Sequence, residues 1–214
     1  GTNGAIRITD QFQDTLQSMQ ARSASGEVFQ IRTKEGVEYI EGVEYPHRLM
    51  PLIREYPEVI GVSEILDKRA DVSSGFRTQR GRIQGVRLDD QLRVSDLEDQ
   101  IIQGSLREYA EDRQSVIIGI KLAERLSARL GEFLNLEGPN ETRRYRIAAI
   151  FETGVEIIDK ERIYLDLNEA RSLLEVPFGE ATLQIAIQTP EKAPDLAVQM
   201  QNEFQHIAVS WQQR

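Results

Sequence analysis

An α+β fold is the expectation for this chain of 214 residues, and three observations lead to it. Strand and helix periods alternate near both ends, a hairpin-rich stretch lies between them, and no run approaches the ~18 apolar residues of a membrane span. A chain this long hides roughly 70% of its unfolded surface, enough for a substantial core. Hydrophobic residues make up 40% and charged residues 29%, with no cysteine. That composition excludes a disordered polymer, a collagen-like repeat and a disulfide scaffold. A formal net charge of −9 argues against a general nucleic-acid binder, which must displace counterions from phosphates. The first residues carry no signal-peptide pattern, and composition alone selects no compartment.

Behind Thr9 as N-cap, Phe12, Leu16 and Met19 at i, i+4 and i+7 define a helix between Ile6 and Ala21, which Ser23-Ala24-Ser25-Gly26 ends. Val28 to Arg32 alternates with Phe29 and Ile31 on one side, the pattern of a half-buried strand. Leu49, Leu52, Ile53 and Tyr56 make a helical face over Pro46 to Tyr56, kept short because Pro51 is tolerated only in a first turn. A strand follows at Val59-Ile60-Gly61-Val62, then a turn at Ser73-Ser74-Gly75. Arg82 to Leu88 is another strand, in which Gly85 marks a bulge or a close approach.

Ser95 with Glu98 forms a capping box, so Leu97, Ile101 and Ile102 are expected to face inward on a helix that Gly104 stops. Val116-Ile117-Ile118 is a buried strand ending at Gly119. Leu122, Ala123, Leu126 and Leu130 then give an amphipathic helix up to Gly131. Phe133, Leu134 and Leu136 begin a strand that turns at Gly138-Pro139-Asn140. It returns with Tyr145, Ile147, Ala149 and Phe151 alternating against Arg144, Arg146, Ala148 and Ile150, which is a hairpin. Ile163-Tyr164-Leu165 is a short strand, and Leu167, Ala170, Leu173 and Leu174 form a helix face up to Val176-Pro177. Leu183, Ile185 and Ile187 alternate in a strand. Pro194 suits a helix start before Leu196, Ala197, Met200 and Phe204, and Ile207 to Trp211 closes the chain as a final strand.

Little in the sequence points to catalysis. His47 and His206 lack a second histidine or a cysteine at ligand spacing, and zinc needs three or four ligands. Neither a phosphate-binding Gly-x-x-x-x-Gly-Lys-Ser/Thr loop nor a Gly-x-Ser-x-Gly elbow occurs. Carboxylates are frequent at Asp89-Asp90, Asp96, Glu98, Asp99, Glu152, Glu156 and Asp159. Two of them could in principle run glycoside chemistry, though in so acidic a chain they read first as solvated surface. Arg77, Arg80, Arg82 and Arg87 form the one basic concentration. They meet either an anionic partner, lipid headgroups or an acidic protein face, or simply balance Asp89-Asp90. Trp211 reads as a core residue, or as an interfacial aromatic if a membrane lies just beyond it.

One ordered series is more specific. Ser115-Val116-Ile117-Ile118-Gly119, Leu122-Ala123 with Leu126, and Gly131-Glu132 with Leu134 and Leu136 come first. Tyr145 to Phe151, Glu152-Thr153-Gly154, Asp159, and Leu167-Asn168-Glu169-Ala170 with Leu173-Leu174 continue it. Tyr56-Pro57-Glu58-Val59 leading to Val62, Gly85-Val86 before Asp89, and Ile102-Gln103-Gly104 support it from upstream. From about Tyr56 to Trp211 the chain resembles the periplasmic core domain of MacB-type ABC transporter permeases, within them the lipoprotein-releasing LolC/LolE group.

The resemblance implies a split βαβ-type Porter-like lobe over residues 1–104 and 178–214, with a strand-rich Sabre-like lobe inserted over 105–177. It places the domain between two transmembrane helices of an inner-membrane permease, in the periplasm or extracytoplasmic space. The implied role is non-catalytic: the domain mechanically couples ATP hydrolysis on a separate cytoplasmic ATPase to export or release of a lipoprotein or another amphiphile. Implied partners are that ATPase, a second permease copy or homologue, and a periplasmic protein, with no nucleic acid and no cofactor. The resemblance assigns no catalytic, metal or cofactor residue and no residue that contacts substrate. Where LolC carries a long hook for its lipoprotein carrier, this chain has only Glu137 to Thr142, which speaks against recruitment by that route. The rival readings are a stand-alone two-lobed module that captures a small ligand, and an enzyme using Glu152 or Asp159.

Overall fold

The computed structural model describes residues 30–34, 37–43, 46–176 and 181–212. The helix expected over Ile6 to Ala21 and the first two residues of the strand expected from Val28 lie outside them. Strands β1 (Gln30–Lys34) and β2 (Val37–Val43) form an antiparallel pair. Helix α1 (Pro46–Arg54) follows; Pro46 occupies its first turn and Pro51 its second, while Leu49 and Ile53 are fully buried. The strand expected at Val59 is the beginning of β3 (Val59–Ser74), a strand of 16 residues. Its length comes from alternation: Leu66, Ala70 and Val72 turn to the core, while Asp67 finds a buried guanidinium in Arg82. A two-residue turn returns it as β4 (Arg77–Val86), and Leu88, expected to end that strand, instead opens α2 (Leu88–Val94).

The single helix expected behind Ser95 is replaced by α3 (Leu97–Gln100) and β5 (Ile101–Gly104). Ser95 Oγ donates back to Gln91 O at 3.0 Å, and Asp96, not Ser95, takes the N-cap position, with no capping hydrogen bond from its own side chain. Ile102, expected to face inward, is 48% exposed. Ladder pairing decides the matter: Ile101, Gln103 and Gly104 register against Phe151, Ile150 and Ala149, and one helical turn cannot compete. Ten residues on, Ser105 Oγ accepts from Glu108 N at 3.1 Å and so caps the start of α4 (Leu106–Glu111).

Strand β6 (Ser115–Gly119) is buried throughout, as its unbroken apolar run implies. Helix α5 (Ile120–Leu126) ends before Leu130, because Ser127 takes the left-handed conformation (φ 49°) and Ala128 N closes back on Ala123 O at 3.0 Å. The expected hairpin is β7 (Phe133–Glu137) and β8 (Thr142–Phe151), with Glu137 opposite Thr142. Helix α6 (Glu156–Glu161), which the sequence reading omits, leads into β9 (Arg162–Asp166). Asp166 caps α7 (Leu167–Leu174) by accepting from Glu169 N at 3.1 Å. After β10 (Ala181–Ile187) and a 3₁₀ turn, α8 (Ala193–Gln212) runs on through Ile207 to Trp211, so the expected final strand is helix. Leu196, Met200, Phe204 and Ile207 recur at i, i+4, i+8 and i+11, one helical stripe that continues past the β-branched cluster.

The chain divides into two compact units. One comprises the described residues within Gly1–Glu64, Asp89–Ser95 and Phe178–Arg214; the other comprises Ile65–Leu88 and Asp96–Pro177. Pairing ties residues 65–88 and 96–104 to the second unit: β4 runs parallel to β9 and β5 antiparallel to β8.

In the first unit β10 lies between β2 and β3, antiparallel to β2. Leu49, Ile53, Val62, Leu183, Met200 and Phe204 share its core. Polar groups inside are satisfied in series. Ser63 Oγ donates to Gln91 Oε1 (2.9 Å), Gln91 Nε2 to Gln184 Oε1 (3.4 Å), and Gln184 Nε2 to Val94 O (3.4 Å).

In the second unit six strands form a closed circuit. The neighbours run β3–β4–β9–β6–β8–β7, and β7 returns to β3 through Val72 opposite Leu136 and Ser73 opposite Asn135. Closure of this kind removes open edges. Val72, Ile83, Val116, Leu134, Tyr145 and Ile163 form one core with Leu122 of α5 and Ala170 of α7. The close approach expected at Gly85 is against Ala170: a Cβ there would stand 2.6 Å from the Ala170 Cβ.

Candidate functional site

The second unit presents one element that its own core does not use, the outer end of the β3–β4 hairpin. Nine consecutive rungs run from Leu66 opposite Gly85 to Ser74 opposite Arg77, so the hairpin is rigid to its tip. Along β4, strand β9 reaches only Arg82–Val86, which leaves Arg77–Gly81 without a ladder partner on the side away from β3 among the described residues. At about 3.3 Å per residue this overhang is roughly 16 Å long. The turn is Gly75-Phe76. Gly75 has φ +58° and Phe76 does not share a positive φ, which is the II′ geometry that needs glycine first and asks nothing apolar of the second residue. Phe76 is nevertheless fully exposed, at 108%.

The four arginines singled out in the sequence do not act together. Arg82 Nη1 donates to Asp67 Oδ2 at 2.7 Å with both side chains buried, a structural ion pair within the unit. Arg80 Nη1 lies 3.2 Å from Asp71 Oδ1 at the surface, Arg77 stands exposed beside the turn, and Arg87 lies beyond the end of β4. The tip therefore offers an apolar knob, two surface guanidinium groups and unpaired strand-edge amides. That is chemistry for association, with no proton donor or acceptor poised for a reaction.

The second hairpin is held down. Arg143 donates to Glu169 Oε1 (2.9 Å), to Ser172 Oγ (2.9 Å) and to Glu141, and Tyr145 Oη donates to Glu169 Oε1 (2.8 Å). The hydrogen bond from Arg143 holds the Glu141 carboxyl below the usual carboxylate range, while burial, and then Glu169, push the Tyr145 phenol up. Asn140 donates to Glu175 at the end of α7, and a Cβ on Gly138 would stand 2.3 Å from Leu173 O. The turn at Gly138-Pro139-Asn140 is thus pressed onto α7.

The candidate acids do not converge: one is built into the fold and the others are spread over the surface. Asp159, 2% exposed, accepts from Thr153 N (2.8 Å), Thr153 Oγ1 (2.7 Å) and Gly154 N (3.0 Å), closing the 153–155 turn. Glu152 N donates to Gln100 O, and the Glu152 side chain is exposed. Glu156 pairs at the surface with Lys160 (2.8 Å) and Lys121 (3.6 Å). Asp90 faces Arg54 at 3.5 Å, Asp96 stands at the N-cap position of α3, and Glu98 and Asp99 lie exposed in its single turn. His47 and His206 are exposed, and no group of three or more metal-ligating side chains occurs among the described residues. Sequence reasoning passes over Phe76, although one signal is available. A Gly-Phe pair at a two-residue turn between alternating segments places an aromatic where no core can reach it.

Residues 6–203 match the MacB-like periplasmic core domain family. The chain is 18% identical over 195 residues to the lipoprotein-releasing system transmembrane protein LolC of Neisseria meningitidis serogroup B. That match covers 86% of this chain and 47% of LolC, so the chain spans about half the length of this relative. Among solved structures, the fold is similar to the periplasmic region of MacB from Actinobacillus actinomycetemcomitans, with TM-score 0.57 and 11% identity over 79% of this chain and 84% of that one. It is similar also to the extracellular domain of the ABC-type transporter YknZ from Gram-positive bacteria, with TM-score 0.55 and 13% identity over 72% and 80%.

Proposed function

The chain belongs to the MacB-like periplasmic core domain family, and from that premise we propose that it is the extracytoplasmic, non-catalytic domain of an ABC transporter permease. The observation that carries this reading is a family match spanning nearly the whole chain, with the same fold in two transporter domains. The full-length protein sits in the inner membrane with this domain on its periplasmic face. A separate cytoplasmic ATPase subunit or domain hydrolyses ATP, and a second permease copy or homologue completes the transporter. The cargo is a lipoprotein or another amphiphile, a choice supported by the printed name of the LolC relative. The unit of Ile65–Leu88 and Asp96–Pro177 corresponds to the Sabre-like lobe and the other unit to the Porter-like lobe.

The domain's work in this reading is mechanical. Chain crossings after Glu64, Leu88, Ser95 and Pro177 tie the two units together, and each unit carries its own hydrophobic core, so displacement at the membrane reaches the domain through packed elements. The test uses the full-length permease reconstituted with its ATPase. Hydrogen exchange of this domain is compared in the nucleotide-free and vanadate-trapped states. Coupling predicts altered protection in at least one of its strands. Identical exchange throughout the domain in both states, with ATPase trapping verified, overturns it.

A further inference from the structure

We infer that the overhanging edge of β4, with Phe76 at its tip, is a docking edge for an extended acidic polypeptide segment that adds to it as a strand. In an antiparallel ladder closed by a two-residue turn, Ser74 and Arg77 exchange both hydrogen bonds, and the bonded pairs then recur at every second residue. The N–H and C=O groups of Arg77 and Gln79 therefore face β3, and those of Thr78 and Arg80 face outward. Further along the strand the outward groups meet β9, but that ladder starts only at Arg82. Two donors and two acceptors at strand spacing are thus presented beyond the closed circuit, on a hairpin too rigid to fold them away.

The side chains select what can pair there. Arg77 and Arg80 are three residues apart and so lie on opposite faces of the strand, with Asp71 beside Arg80 at 3.2 Å. Basic side chains on an open edge repel a basic strand and favour one carrying carboxylates opposite them. The matching segment has acids three residues apart. Phe76 adds an apolar anchor, since a phenylalanine left fully in water at a turn has its whole burial energy available for association. An anionic bilayer matches the recognition less well. It supplies no amide partner for the Thr78 and Arg80 backbone, and two guanidinium groups fall short of the 4–8 basic residues typical of lipid-binding clusters. The edge geometry holds whether or not the chain serves a permease, so it can fail or stand independently of that reading.

The experiment is an amide chemical-shift titration of the isotope-labelled chain. The probe is the acetylated, amidated heptapeptide Thr-Glu-Val-Thr-Glu-Val-Thr; its lysine-for-glutamate counterpart and phosphatidylglycerol vesicles are run in parallel. At millimolar acidic peptide the largest shifts are expected at Thr78 and Arg80, with slowed exchange of those two amides and weaker binding as salt rises. Phe76→Ser and Arg77→Glu are each expected to weaken the interaction by about tenfold or more. Both substitutions lie at an exposed turn, so unshifted resonances elsewhere establish that the variants are folded. The proposal is overturned if the acidic peptide leaves Thr78 and Arg80 unmoved, or if the lysine peptide shifts them equally. Broadening confined to residues 76–80 by vesicles, with no response to peptide, also overturns it in favour of a lipid surface.

Discussion

Replacing Asp159 by alanine removes a buried carboxylate that accepts three hydrogen bonds, from Thr153 N, Thr153 Oγ1 and Gly154 N. The hydroxyl has a second acceptor in Val155 O at 3.5 Å, so the lasting damage is two backbone N–H groups left without an acceptor, at buried Thr153 and at part-buried Gly154 N. Bonds to a charged acceptor are worth about 1.5–3 kcal/mol each, so the variant is expected to lose about 3 kcal/mol. Asparagine keeps Oδ1 for both Thr153 donors but turns an amide N–H₂ towards Gly154 N, which costs roughly half as much. In urea, with a slope of about 2 kcal/mol/M, these become midpoint shifts of roughly 1.5 M for Asp159→Ala and roughly 0.75 M for Asp159→Asn, read by circular dichroism. A shift below about 0.25 M for the alanine variant, inside the range of ordinary surface substitutions, refutes the structural role and makes Asp159 available again as a reactive group. So does an asparagine variant less stable than the alanine one.

The remaining predictions concern single groups in the same unit. Tyr109 Oη is buried with no protein hydrogen-bond partner among the described residues, so Tyr109→Phe is expected to stabilise the chain by about 1 kcal/mol in the same urea assay; a comparable loss contradicts that burial. Ser105→Ala removes the cap of α4 and is expected to cost about 1 kcal/mol, with faster amide exchange at Glu108 as the local signature. Gly119→Ala places a Cβ 2.3 Å from Asp159 O and is expected to destabilise by about 2 kcal/mol or more, whereas an unchanged midpoint means that α6 does not pack against β6 there.

What the sequence disclosed and what it hid follow from the range of the forces involved. Helix α7 was legible because Leu167, Ala170, Leu173 and Leu174 form one stripe, all within eight residues. Strands β7 and β8 were legible because a short polar turn sits between two alternating runs. Segment 97–104 misled because Leu97, Ile101 and Ile102 fit a helix locally, and only the ladder against Phe151, Ile150 and Ala149 makes Ile101–Gly104 a strand. Strand β3 was cut short because Asp67, Arg69 and Asp71 interrupt the apolar run; Arg69 and Asp71 do lie at the surface, and only the facing Arg82 allows Asp67 to be buried. At the C-terminus Ile207 and Val209 favour a strand by propensity, but the stripe from Leu196 onward carries α8 through them. For the candidate site, the four arginines were visible as a group, yet their division into Arg82 in a buried pair, Arg77 and Arg80 at the surface of the tip, and Arg87 beyond the strand depends on register. The closed circuit that leaves Arg77–Gly81 overhanging depends on two rungs, Val72–Leu136 and Ser73–Asn135, far apart in sequence.

The central claim is that this domain stands outside the cytoplasm on a membrane-embedded permease, and sidedness tests it most directly. The 214 residues contain no cysteine, so Glu111→Cys, at an exposed position on α4, gives a unique thiol within the domain. In cells producing the full-length protein, with any other cysteines replaced, the account predicts that a membrane-impermeant maleimide which crosses the outer envelope modifies this thiol without lysis. Modification only after lysis, with the protein intact and a known periplasmic thiol labelled in the same cells, would contradict it.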